Sequence, residues 1–166
     1  MQLVITSQKA ETLDRWRRVF EGCDDVLFER GLRAETPVDA VLMAGIFAIE
    51  RYGSRPDFQK AQILENRRGD GWHDLIIVPP TLPMARDGQG GWQVQSGYED
   101  IQPAYYGATR SFQAIAEWNK EPDRENLISA VEVNLPMLNM DNPVDDSSAR
   151  FFRVALEEYR ERSEFQ

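Results

Sequence analysis

Short apolar runs rich in β-branched residues alternate along this chain with stretches whose apolar residues recur three or four positions apart. Continuous or alternating apolar runs suit strands, and a 3.6-residue period suits helices, so this alternation constrains the fold more than any other feature. Leu3 to Thr6 (LVIT) reads as a buried strand, followed by Ser7 as a helix cap. Leu13, Trp16 and Phe20 mark an amphipathic helix ending near Gly22. Val26 to Phe28 reads as a second strand. Asp74 to Val78 (DLIIV), bounded by Gly71 and Pro79, is the clearest strand in the chain. Tyr105, Ala108, Phe112, Ile115 and Asn119 share one helical face. Leu127 to Val133 alternates as a strand does. Pro143, Asp145, Asp146 and Ser147 look like a helix start, with Phe152, Ala155, Leu156 and Tyr159 as its buried stripe.

Two segments are less direct. Thr36 to Gly53 has a helix-start signature at Thr36, Pro37 and Asp39, and Gly53 suits a helix end, so one long helix is one reading. The other is a strand at Ala40 to Met43, a turn at Gly45 and a short helix to Tyr52. Pro79 to Gly97 carries three prolines and four glycines with no clear period, as expected for a functional lid or a disordered loop. Further short strands are possible at Gly31 to Ala34 and Trp92 to Gln95. The order β-α-β-β-α-β-α-β-α predicts a three-layer α/β/α domain with a mixed, largely parallel central sheet.

Composition narrows the function classes. At 166 residues, 42% hydrophobic and 28% charged, the expectation is a single domain over residues 1–162 and a fraying tail over 163–166. The net charge of -9 argues against a nucleic-acid partner, because phosphates meet net repulsion. One cysteine, Cys23, excludes an internal disulfide, and one histidine, His73, argues against a histidine metal site. The run Ala40 to Ile49, free of charged and strongly polar residues, falls short of the roughly 20 residues a bilayer requires. With no secretory signal at the start, a cytoplasmic protein without a membrane partner is expected.

In sheets of this kind ligands sit outside the carboxyl ends of the strands. Three loops follow strands there: Ala44 to Phe47, Pro79 to Gly97, and Asn134 to Asn142. The first and third run into helix N-termini, whose free N–H groups and positive dipole ends suit a phosphate. No Ser/His/Asp set assembles, and Asp74 beside His73 points to the opposite face, so catalytic residues stay unassigned.

Several phrases, in order, resemble the macro domain, an α/β/α module that binds ADP-ribose. They are LVITSQKAETLDRWRRVFEGCDDVLFERG, VDAVLMAG, IERYGSRP, DLIIVPPTLPM (similar to a strand exit in some bacterial members), YYGATRSFQAIAEWNKE, ISAVEVNLPM and SSARFFRVALEEYRE. The resemblance selects strand-turn-helix for residues 36–53. It implies ADP-ribose or a related nucleotide as ligand, held by Ala44, Gly45, Ile46, Phe47, Asn134, Met137, Asn139 and Asp141, with no metal and no separate cofactor. The chain departs from the family at three places. Glu29, Arg30 and Gly31 stand where an adenine-reading Asp is common. Met43-Ala44-Gly45-Ile46 replaces an Asn-rich loop that holds the catalytic asparagine of hydrolase members. Asn134 to Asn139 replaces a glycine-rich phosphate loop, where Leu135, Pro136 and Met137 add bulk. These departures leave enzyme activity undecided. They also motivate an alternative, a protein-interaction domain that kept the fold and lost the ligand.

Overall fold

The computed structural model describes residues 1–55 and 57–164. Six strands form the main sheet: β1 (Gln2–Ser7), β2 (Val26–Arg30), β3 (Ala40–Leu42), β4 (Gln62–Glu65), β5 (Leu75–Val78) and β8 (Ala130–Asn134), in the order β2-β1-β8-β3-β5-β4. All neighbours run parallel except β4, which pairs antiparallel with β5. A separate two-stranded hairpin joins β6 (Met84–Arg86) to β7 (Trp92–Val94). The helices are α1 (Ala10–Val19), α2 (Gly45–Tyr52), α3 (Pro103–Lys120) and α4 (Ser147–Glu164).

The central strands are apolar on both faces because both faces are covered, as parallel sheets require. Leu3, Ile5, Leu42, Leu75, Ile77, Val131 and Val133 pack beneath α1, α3 and α4. An aromatic cluster closes that layer: Phe152 lies 5.8 Å from Trp16 and 5.6 Å from Phe112, centroid to centroid. On the opposite face Val41, Met43, Ile76 and Val78 pack with Ala48 of α2. This is the three-layer α/β/α architecture expected, with loops completing the layer that α2 begins.

Residues 36–53 fold as strand, turn and helix, and Gly53 closes α2 in the left-handed region at φ 73°. Several expectations need correction. Gly31 to Ala34 forms bends, not a strand, because this segment turns back over the sheet and donates the Ala34 N–H to Glu132 at 3.0 Å. Pro79 to Gly97 is no structureless loop: its middle is the β6–β7 hairpin. Strand β4 escaped notice because only Ile63 and Leu64 are apolar in it, as suits a half-buried edge strand. Ser7 is not the cap of α1; its hydroxyl accepts the Lys9 N–H and donates to Asp141. Pro56, which ends the phrase IERYGSRP, and Phe165 and Gln166 of the expected tail lie outside the described residues. No helix among the described residues is long and apolar enough to cross a membrane.

Candidate functional site

Adjacent strands β3 and β8 send their chains to opposite faces of the sheet, β3 into α2 and β8 through a 3-10 turn (Pro136–Leu138) into α4. Such a switch point opens a crevice at the carboxyl edge. A cavity of about 780 Å³ lies there, within the range usual for small-molecule sites. Its walls come from the loop after β3 (Ala44, Gly45, Ile46), the loop after β5 (Pro79 to Leu82), the small-residue face of α3 and the start of α4. Met84 and Val94 of the hairpin form one side. A concavity of similar volume between α1 and β2 sits at the opposite edge of the sheet and is dominated by charged side chains such as Asp14 and Arg17, which pair at 2.9 Å.

The small face of α3 is what makes room. Ala104, Gly107, Ala108 and Ser111 share it, and Ser111 turns its hydroxyl back to the Gly107 carbonyl at 2.7 Å. A Cβ at Gly107 would stand 3.2 Å from Pro79 Cβ, so glycine lets the helix come close to the Pro79-Pro80 exit of β5.

The lining has no Asp, Glu, Lys or Arg. It is mostly apolar, with Thr81, Gln102, Ser111, Asn139 and Ser148 as its polar side chains. The first turns of three helices border it, through Gly45 and Ile46 of α2, Pro103 and Ala104 of α3, and Ser148 of α4. No side chain caps α2 or α3, whereas Asp145, just before α4, accepts the Ser147 N–H at 2.9 Å. The positive dipole ends of these helices border a cavity whose lining carries no charged side chain.

The two loops singled out from the sequence meet directly: the Ala44 N–H donates to the Met137 carbonyl at 2.9 Å. Of the eight expected ligand residues, Ala44, Gly45, Ile46 and Asn139 line the cavity. Phe47 lies on α2, 37% exposed and outside the lining. Asn134 faces inward instead. Its side-chain nitrogen donates to Leu32 and Glu132, and its oxygen accepts the Met137 N–H, so it anchors the turn. Met137 packs beneath α2 against the opposite face, and Asp141 ties the loop to Ser7 and Lys9. The bulk expected from this loop does not fill the cavity: Leu135 is fully buried in the core, Pro136 is exposed, and Leu138, Asn139 and Met140 do the lining.

Asn139 sits in the left-handed region at φ 57°. Asparagine tolerates that conformation and a β-branched residue does not. Asn139→Val is expected to lower stability by about 1–2 kcal/mol while Asn139→Gly stays close to wild type, read by urea denaturation. Equal stabilities for the two variants would contradict the strained geometry.

Pro79 and Thr81 belong to the Pro79 to Gly97 loop expected at the cleft, while the contributions of Gln102, Ser148 and Phe152 were not anticipated. The spacing of Ala104, Gly107, Ala108 and Ser111 was a usable signal, since small residues at helical spacing mark a face that something approaches.

The fold and this opening define a three-layer α/β protein with an uncharged cleft at the carboxyl edge of its sheet. No family model matches the chain, no curated protein matches it, and no solved structure matches it.

Proposed function

We propose that the chain binds ADP-ribose or a related nucleotide in the strand-end cleft. The observation that carries this reading is the meeting of three helix N-termini at an open, uncharged cavity of nucleotide-compatible size. Oriented backbone N–H groups and helix dipoles supply the positive potential that a pyrophosphate needs without any cationic side chain. The apolar walls contributed by Pro79, Leu82, Met84 and Val94 suit the flat face of a base. An unfilled cleft favours this reading over that of a fold which lost its ligand. The family resemblance points to the same ligand class. No catalytic role is assigned, because no titratable side chain lines the cavity.

Calorimetric titration of the whole chain with ADP-ribose, NAD and adenosine tests the proposal. Micromolar to low-millimolar binding of ADP-ribose is expected, with adenosine weaker. Ser148→Trp, which places a large ring in the cleft mouth, is expected to weaken ADP-ribose at least about tenfold. Absence of heat and of any thermal shift at millimolar ADP-ribose rejects the reading.

A further inference from the structure

A second cavity, of about 480 Å³, lies between α3 and the segment leading into β4, and its chemistry differs from that of the cleft. Tyr106, Arg110, Gln113 and Glu117 project into it from α3, Lys60 enters from the chain before β4, and Tyr98 stands at its wall. We infer that this cavity is a separate binding site for a small molecule in which a flat ring carries an oxyanion.

The argument rests first on Arg110. Its guanidinium stacks on the Tyr106 ring at 3.7 Å, and its Nε donates to the Gln59 carbonyl at 3.0 Å. Tyr106 is itself fixed, because it is buried and its hydroxyl donates to the Phe58 carbonyl. The guanidinium is therefore held in one orientation, and its two terminal nitrogens make no hydrogen bond or ion pair among the described residues. A fixed planar fork of this kind matches a carboxylate or phosphate bidentately.

Lys60 adds a second positive charge at the same cavity and forms no ion pair among the described residues. The nearby Asp57 carboxylate is already engaged by the backbone N–H groups of Gln59 and Lys60, at 2.7 and 3.0 Å. Glu117 is the one acid of the lining, and Gln113 reaches it at 3.4 Å. Lys60 also lies in the field of Asp57, but neither Lys60 nor Arg110 forms an ion pair among the described residues, in a chain whose 28 acidic residues outnumber its 19 basic ones, so both cations stay available to an external anion. Tyr98 supplies an aromatic surface against which a ring can stack. The amides of Gln59 and Gln113 and the Glu117 carboxylate meet polar groups on that ring.

Phenyl phosphate is the probe, titrated into the full chain at low ionic strength by calorimetry, with inorganic phosphate and benzyl alcohol alongside. Phenyl phosphate is expected to bind at least about tenfold tighter than either fragment. Lys60→Gln, an exposed substitution, is expected to weaken it about threefold. Arg110→Lys, which keeps the charge but loses the fork, is expected to weaken it about tenfold or more. Three results overturn the inference: no binding at about 10 mM phenyl phosphate, affinity indifferent to both substitutions, or inorganic phosphate binding as tightly as phenyl phosphate. A phosphotyrosine peptide binding about a hundredfold tighter than phenyl phosphate also overturns it, because the site then belongs to a protein segment. Neither Lys60 nor Arg110 borders the cleft, so failure here leaves the ADP-ribose reading standing.

Discussion

Replacing Glu132 by leucine is expected to cost about 3–5 kcal/mol of stability, the largest loss from any single polar residue in this chain. Glu132 lies in the middle of β8, between Val4 of β1 and Val41 of β3, and is fully buried. Each of its oxygens accepts two hydrogen bonds. Oε2 takes the Thr6 hydroxyl and the Asn134 amide, both at 2.8 Å; Oε1 takes the Ala34 N–H at 3.0 Å and pairs with His73 Nε2 at 2.7 Å. Leucine removes the acceptor and leaves those donors buried or half-buried without a partner. Glu132→Gln keeps one accepting oxygen and is expected to lose less, about 1–3 kcal/mol. Burial pushes the Glu132 carboxyl up, but the bonds from His73, Ala34, Asn134 and Thr6 together hold it below its ordinary value of 4.5. A carboxyl depressed in the folded state stabilises it above the unfolded value, and that contribution disappears as pH falls through the folded value. The stability gap between wild type and Glu132→Gln should therefore be full at pH 7 and narrow steadily below about pH 4.5. Urea midpoints across that range measure it. A Glu132→Leu variant within 1 kcal/mol of wild type would contradict this account of the network.

Phe152→Ala should have an effect of similar size by a different route. Phe152 is 1% exposed, packs edge-on to Phe112 and tilted to Trp16, and also forms part of the cleft floor. Truncation leaves a cavity that stacked aromatics and a three-layer core close only partly, at about 3–5 kcal/mol, or a Tm lower by roughly 10 °C. Phe152→Leu preserves most of the volume and should recover more than half of that loss. If the cleft holds the ligand, Phe152→Ala also changes affinity under conditions where the protein stays folded, because the new void is continuous with the cavity. Thermal unfolding together with calorimetry reads both effects. A loss under about 1 kcal/mol would mean that the aromatic cluster does not hold α4 to the sheet.

The strands buried on both faces were the most legible elements. Leu75 to Val78 and Leu3 to Ile5 are apolar without interruption because helices or loops cover each side. Meeting of the loops after β3 and β8 followed from the rule for strand ends, and the Ala44–Met137 hydrogen bond is its physical form. The polar heart of the opposite face was not legible. His73 and Glu132 are 59 residues apart, and Glu132 sits in an alternating run whose polar positions ordinarily face water. Only the fold back of residues 31–36, carrying the Ala34 N–H and the Leu32 carbonyl, turns that face into an interior. The start of α4 was readable as a helix start and α3 as a helical face, but their convergence on the cleft depends on how those helices pack, which no local pattern encodes. Asn134 was expected as a ligand contact because it opens the strand-end loop that stands where the resembled family has its phosphate loop. Its place on the inward face of β8 gives it the role of an anchor instead.

The central claim is that the cleft at the carboxyl edge takes a nucleotide on its three helix starts. Backbone amide shifts in a 1H–15N spectrum, followed while ADP-ribose is added to the whole chain, test it most directly. The account predicts saturable shifts concentrated at Gly45, Ile46, Ala104, Asn139 and Ser148, with Gly22 and Cys23 at the far edge of the sheet unmoved. Shifts confined to residues outside the cleft, or none at millimolar ligand, would contradict it.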